Sequence, residues 1–374
     1  MALDFSKIGP WNKITTVTLD GQQMVRIPKF YFGCFDAPAG SQHEGKKLYT
    51  ISDIPREGLH IYPAFVKDNK VMDCFYYGAY EASMEGYPNG DHWDSTGLQR
   101  VMTGPKACSL PDVHVWNYVF NEEAKTACEA RNVEDGTDEQ QGWHLHNVYE
   151  VYAIAMLMLA EYGRTDFVDI IGAGNTGKTW TKKNNTYGDD QTMNTGTTDA
   201  VWRGVHELWG NVWEHYTGIT TDEYGNLSIL NHKMDGTYIT TTAGFPSGGM
   251  TNNGSNGATF KQGWPVTFRT DSGDGYDLKD IFCPETLSSE TYAQGNTLGS
   301  IHDHAWWLPK NIYGTDANIG YRPQTSGYCH GSFADSSGAV GPFVFNVRNG
   351  DSAAHHSFRL AKYGTATDEV AYED

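Results

Sequence analysis

Apolar and polar residues alternate from about residue 13 to 33, the two-residue period of a strand with one buried face. Thr15-Thr16-Val17-Thr18-Leu19 leads through Asp20-Gly21 into Met24-Val25-Arg26-Ile27-Pro28-Lys29-Phe30-Tyr31-Phe32. An Asp-Gly pair between two such runs predicts a hairpin, because both turn residues must adopt positive φ. Cys74-Phe75-Tyr76-Tyr77-Gly78-Ala79-Tyr80-Glu81-Ala82 is a further strand signal, beyond a connection containing Pro and Gly. A boundary is therefore placed near residue 69, dividing an amino-terminal β segment (1–69) from a larger domain (70–374).

The pattern changes at residue 148. Val151-Tyr152-Ala153-Ile154-Ala155-Met156-Leu157-Met158-Leu159-Ala160 is apolar nearly all round, so the spacing predicts a helix from about Val148 to Tyr162 that must be covered on most sides. Asn147 is placed to cap it, Glu150 stands in the reciprocal capping-box position, and Gly163 can end it. A weaker helical pattern spans 122 to 131. From about 180 to 300 the chain is rich in Thr, Asn, Gly and Asp, with turn signals such as Asp222-Glu223-Tyr224-Gly225-Asn226, and this stretch is expected to form long loops on a compact core. No internal repeat of fixed period is present.

Composition narrows the function classes. The 374 residues are 39% hydrophobic and 13% aromatic, with 42 Gly and 14 Pro, as in a loop-rich globular β or α+β protein. A net charge of −19 disfavours contact with phosphate backbones, so nucleic acid is not expected as a partner. The first ten residues have neither a basic stretch nor an apolar run, which predicts synthesis in the cytoplasm without a secretion signal. No window approaches the roughly 20 apolar residues of a membrane span, and no membrane partner is expected. Cys34, Cys74, Cys108, Cys128, Cys283 and Cys329 form no Cys-x-x-Cys pair, a distribution suited to reduced, mostly buried thiols.

Four motifs carry candidate chemistry. Gly172-Ala173-Gly174-Asn175-Thr176-Gly177-Lys178-Thr179 matches the phosphate-loop pattern, but its continuation from Trp180 is a poor helix and no strand offers a magnesium ligand, so it reads as a Gly-rich surface loop. His144, His146 and Glu150 imitate a two-His-plus-carboxylate metal set, although a helix starting inside the motif would stop them converging. His302-Asp303-His304 lacks a third strong ligand. Glu207 and Glu214 flank the turn in Val205-His206-Glu207-Leu208-Trp209-Gly210-Asn211-Val212-Trp213-Glu214-His215. With the carbonyls of Trp209 and Val212 they could surround calcium, or they could make ordinary hydrogen bonds and salt bridges. Gly210 and Asn211 permit positive φ, and the surrounding indoles and aliphatic groups suit a core-lining strand interrupted by a buried turn.

Phe75-Tyr76-Tyr77-Gly78-Ala79-Tyr80-Glu81-Ala82-Ser83, Gly142-Trp143-His144-Leu145, Gly210-Asn211-Val212-Trp213-Glu214 and Phe358-Arg359-Leu360-Ala361 succeed one another in an order that resembles the formylglycine-generating-enzyme type of C-type lectin fold, an α+β fold. The likeness covers about 70 to 364. It implies one of two branches. The enzymes of that type use a close pair of carboxy-terminal cysteines, whereas this chain has Cys329 alone, with Ala334 where a second thiol is expected. The resemblance therefore implies a binder and not an enzyme, with an oxidase centred on Cys329 or a non-phage surface adhesin as the alternatives.

The run from Thr325 to Arg359 is similar to the variable region of diversity-generating-retroelement proteins of the phage tropism-determinant type. In that family adenines in asparagine-type codons are randomised, and Tyr, Cys, His, Ser, Phe, Asp, Asn and Ala are all reachable from them. The resemblance implies a phage tail receptor-binding protein, a homotrimer carried on the virion among other tail proteins, whose segment of about 327–359 contacts a bacterial surface receptor, protein or glycan. The implied ligand-binding residues are Tyr328, His330, Ser332, Phe333, Asp335, Phe343, Phe345, Asn346, Asn349, Asp351, His355, His356 and, bordering them, Trp307. Residue chemistry points the same way: Gly331, Gly338, Gly341, Pro342 and Gly350 can hold a backbone, while aromatic and small polar tips provide contact area and selective hydrogen bonds. The competing reading of these residues is an ordinary loop-rich end to the core. No cofactor is expected apart from the calcium considered above.

Overall fold

The computed structural model describes residues 4–36, 39–40, 47–86, 104–117, 119–162, 167–172, 174–175, 200–221, 227–231, 233–240 and 356–371, together with the strand backbones at 267–268, 275–277, 307–309, 325–330 and 341–347. The elements that position the site are β1 (Thr15–Leu19), β2 (Gln22–Pro28), β3 (Cys74–Gly78), α1 (Asn121–Glu129), β4 (Trp143–Leu145), α2 (Val148–Tyr162) and α3 (Phe167–Ile171). They continue with β5 (Trp213–Thr221), β6 (Thr325–His330), β7 (Gly341–Val347), β8 (His356–Phe358) and β9 (Leu360–Tyr363). Strands predominate over helices, and the class is α+β.

The hairpin forms as its sequence predicts. Asp20 (φ 47) and Gly21 (φ 73) both take positive φ, and Thr16 lies opposite Val25 and Val17 opposite Met24. The apolar run does not continue as one strand to Phe32. Pro28 has no N–H to extend the ladder, so β2 stops there and Tyr31–Asp36 joins a separate three-stranded sheet with Lys47–Ser52 and His60–Ile61.

The central sheet has the order β1-β2-β3-β9-β4, antiparallel throughout. Pairing of β2 with β3 crosses residue 69, so the first hairpin and the carboxy-terminal strand β9 share one sheet. Alternation along these strands feeds two cores. Val25, Ile27, Phe75 and Tyr77 meet α2 on one face. Met24, Trp143, Leu145 and Leu360 meet Ala124 and Ala127 of α1 on the other.

Helix α2 is buried from Val148 through Leu159, which accounts for its lack of a polar face. Its start matches the capping box expected from sequence. Asn147 Oδ1 accepts from the N–H of Tyr149 at 2.9 Å and of Glu150 at 3.2 Å, and Glu150 Oε2 accepts from the Asn147 N–H at 2.9 Å. The weaker pattern at 122–131 is also helical, as α1. Gly163 lies outside the described residues. Among the described residues, no helix is long and apolar enough to cross a membrane.

The second large sheet is built on β5. Its order is Tyr238–Thr240, Leu227–Leu230, β5, β6, β7, with β8 pairing β5 in parallel. Glu214 stands opposite Cys329 of β6 and beside Ser357 of β8. Most of the stretch from 180 to 300, expected to be loops, lies outside the described residues.

Candidate functional site

The turn before β5 is a sharp backbone feature. Glu207 (φ 52), Gly210 (φ 83) and Asn211 (φ 47) all lie in the left-handed region. At Gly210 a Cβ would come within 2.9 Å of the Asn175 backbone, so this position requires glycine on two counts. Asn211 donates its N–H to the Asn175 carbonyl at 2.8 Å and accepts from Asn175 Nδ2 at 2.9 Å. Trp209 Nε1 donates to the Gly172 carbonyl at 2.9 Å. The start of the Gly-rich stretch at 172 is therefore a packing partner of the 209–211 turn. It comes after helix α3, not a strand, which removes the geometry a phosphate loop needs; residues 176–179 lie outside the described residues.

Below this turn sits a buried polar cluster. Arg359, fully buried, donates from Nε and Nη2 to Glu214 Oε1 at 2.8 and 2.5 Å, from Nη1 to the Gly78 carbonyl at 3.1 Å, and from Nη2 to the Glu207 carbonyl at 3.0 Å. Its guanidinium also lies over the Tyr77 ring at 5.5 Å. Burial alone would lower the Arg359 pKa, but the Glu214 carboxylate more than reverses this and the net shift is upward. Asn211 Nδ2 donates to Glu81 Oε2, bringing a third buried carboxyl group alongside Glu207 and Glu214. Desolvation, and then the charges of Glu207 and Glu214, push the Glu81 carboxyl well above the usual carboxylate range.

Of the two readings of Glu207 and Glu214 drawn from the sequence, the salt bridge is present at Glu214. The cation that Glu214 and the Glu207 carbonyl hold is the guanidinium of Arg359, which collects oxygens much as a metal would. Among the described residues no group of three or more His, Cys, Asp or Glu side chains is arranged to hold a metal ion. The histidine motif is likewise spent on hydrogen bonds. His144 lies 2.8 Å from Glu150 and stacks on Tyr363, whereas His146 sits between the Tyr77 hydroxyl at 2.7 Å and the His215 carbonyl at 2.8 Å. His146 therefore donates from Nε2 to the carbonyl, and its Nδ1 also lies 3.8 Å from Glu214 Oε2, which places the imidazole beside the Arg359 cluster. His302, Asp303 and His304 lie outside the described residues.

His215 continues the chain of contacts, with Nε2 donating to the Val119 carbonyl at 2.8 Å; burial pushes its pKa down to about 4 and keeps it neutral. Beside it, at 6.1 Å between ring centroids, lies His356.

His356 departs from its expected role. It is 3% exposed, because β8 lies between β5 and the second core, where Ser357 Oγ donates to the Trp116 carbonyl at 2.7 Å. A side chain so placed packs and does not meet a ligand. Of the other expected contact residues, Tyr328 and His330 fall on the backbone of β6, and Phe343, Phe345 and Asn346 on that of β7. Trp307 begins the strand Trp307–Pro309, which pairs with Gly275–Asp277. Ser332, Phe333, Asp335, Asn349, Asp351 and His355 lie outside the described residues. Register sets Tyr328 opposite both His215 and Asn346, and Cys329 opposite Phe345. Cys74, Cys108 and Cys128 are free, buried thiols, as their spacing predicts.

Sequence reasoning missed Glu81 and His146 as members of one cluster. A signal existed for Glu81, an acid inside an otherwise apolar and aromatic strand run; burial of such a residue demands a partner. Comparison with protein-family models and with curated proteins gives no match, so these residues and their geometry carry the functional reading on their own.

Proposed function

We propose that the chain is a phage tail receptor-binding protein with a C-type lectin fold of the formylglycine-generating-enzyme type, and that its carboxy-terminal segment binds a bacterial surface ligand without chemical reaction. The observation that carries this reading is the way the segment is anchored. It enters on β6, passes through β7 and returns on β8, and all three strands belong to the sheet built on β5. Backbone pairing with β5 holds β6 at one end of the segment and β8 at the other, and the Arg359 guanidinium on Glu214 adds a side-chain tie at the second end.

Those two connections hold Ser332, Phe333 and Asp335 in one and Asn349, Asp351 and His355 in the other, the mixture of aromatic and small polar groups that adaptable binding faces use. His356 is excluded from the binding set and assigned to the frame. Assembly with other tail proteins is assigned to the amino-terminal strands outside the central sheet, Tyr31–Asp36, Lys47–Ser52 and His60–Ile61. A homotrimer would raise avidity for a repeated surface ligand.

The DNA beside the gene tests the reading. The expected finding is a reverse-transcriptase gene and a near-copy of the segment encoding 327–359 that differs only where the copy has adenine. A gene neighbourhood without tail genes and without such a copy would overturn it.

A further inference from the structure

Successive positions of a pleated strand alternate between the two faces of its sheet, so β6 and β7 each carry two kinds of position. Which face a position takes is fixed by its register with β5. Tyr216 is fully buried in the core built around α2, and a Cβ on Gly218, two residues further along β5, would come within 2.8 Å of Val148 Cγ1. The face of β5 that carries Glu214 and Tyr216 is therefore the one that α2 covers. His215 lies on the opposite face, where its Nε2 donates to the Val119 carbonyl.

Register carries this division outward from β5. Glu214 pairs with Cys329 and Cys329 with Phe345, while Tyr216 pairs with Gly327 and Gly327 with Val347. These positions share the α2 face, and β7 packs against α2. The intervening row runs from Phe358 through His215 and Tyr328 to Asn346, on the other face. Composition follows the same division: Phe345 and Val347 are apolar, as a neighbour of the apolar α2 must be, whereas Tyr328 and Asn346 carry hydrogen-bonding groups. The register shifts between Cys329 and His330, so the division stops at Cys329 and Phe345 and does not extend to His330 or Phe343.

We infer that Cys329 and Phe345 are frame positions that seat the carboxy-terminal segment on α2, and that Tyr328 and Asn346 are the strand positions that determine which ligand is bound. The second half rests on the receptor-binding reading; the first half does not. Tyr328 and Asn346 stand opposite each other, close to where the chain leaves the sheet for 331–340 and 348–355, so they extend the face formed by those connections. Asn346 is on the last strand of the sheet order, two strands or roughly 10 Å from His215 and its Val119 cover. A position on the α2 face accepts only apolar groups of similar volume, because that core is close-packed. The opposite face is free to change its polar and aromatic groups while the backbone stays put. With Cys329 on the covered face, an oxidase centred on that thiol has no approach for its substrate.

Thiol labelling of the full chain tests the division without any ligand. The native protein is treated with a maleimide and the labelled sites are located by peptide mapping, with the denatured chain as reference. Wild-type Cys329 and the thiol of Phe345→Cys should react at least about a hundredfold more slowly in the native than in the denatured chain, whereas those of Tyr328→Cys and Asn346→Cys should react within about tenfold of the denatured rate. Fast labelling of native Cys329, or protection of both Tyr328→Cys and Asn346→Cys, would overturn the division; if Phe345→Cys does not fold, the wild-type Cys329 rate decides for the α2 face. Adsorption to a bacterium that the wild-type protein binds should fall at least about tenfold in Tyr328→Ser and in Asn346→Ala, with Cys329 still protected. Wild-type adsorption by both variants would overturn their role in choosing the ligand and leave the frame assignment standing. A wild-type chain that adsorbs to no bacterium would refute the receptor-binding reading and with it that role, and the labelling rates would still decide the division.

Discussion

Helix α2 and the Arg359 cluster both hold carboxy-terminal strands to the rest of the molecule, by opposite means. The helix presents apolar groups around most of its circumference and is held by area removed from water, on the order of 1.5–3 kcal/mol for each large side chain. The cluster is held by a few directional bonds among charged groups that are costly to bury. Loss of one methylene group in the helix is a graded insult; loss of one partner in the cluster leaves a stranded charge. The two should also differ in pH response, since the helix core around Val151–Leu159 carries no carboxylate or imidazole, whereas the cluster adjoins three carboxyl groups and two imidazoles.

The largest effect is expected for Arg359→Met, which takes the guanidinium away from Glu214 and from the carbonyls of Gly78 and Glu207. Denaturant unfolding should show a loss of about 3–5 kcal/mol, and a loss below about 1 kcal/mol would erase the contrast drawn above. Leu157→Ala should cost about 2–5 kcal/mol by opening a cavity in the α2 core, with the same cost at every pH in the folded range. A pH-dependent penalty there would show that the helix and the cluster are coupled.

His215 sharpens the comparison on the acid side. Its folded-state pKa is lowered from 6.5 to about 4, so its neutral form stabilises the fold above 6.5, and this contribution is lost as pH falls from 6.5 towards 4. The wild type should lose stability across that window more steeply than His215→Gln, whose amide can still donate to the Val119 carbonyl. Parallel pH profiles would show that His215 is not the titrating group. The smallest effect, about 0.5–2 kcal/mol, is expected for Asn147→Ala, which removes the α2 cap without touching either core. Circular dichroism of thermal unfolding would register it.

Local features of this fold were legible in the sequence. The β1–β2 hairpin is set by Asp20-Gly21 and period-two alternation, and the start of α2 by Asn147 and Glu150, because in each case the deciding groups are within a few residues of each other. The 210–211 turn was legible for the same reason: its conformation is set by the residues in it. The Glu214–Arg359 pair was not, since its partners are 145 residues apart and no local pattern links them. Glu207 and Glu214 were recognisable as a cation site, but the choice between calcium and guanidinium depends on which distant segment returns to the turn. His356 reads as one more polar residue in a polar stretch, and only the parallel pairing of β8 with β5 reveals that it is covered.

The central claim is that the frame of β5, β6, β7, β8 and Arg359 holds the carboxy-terminal segment while the side chains between the strands meet the ligand. The most direct test replaces Phe333, Asp335, Asn349, Asp351 and His355 together by alanine in the full chain, and measures both Tm and adsorption to a bacterium that the wild-type protein binds. The account predicts an unchanged Tm and lost adsorption. A Tm lowered as far as in Arg359→Met, or adsorption equal to that of the wild type, would contradict it.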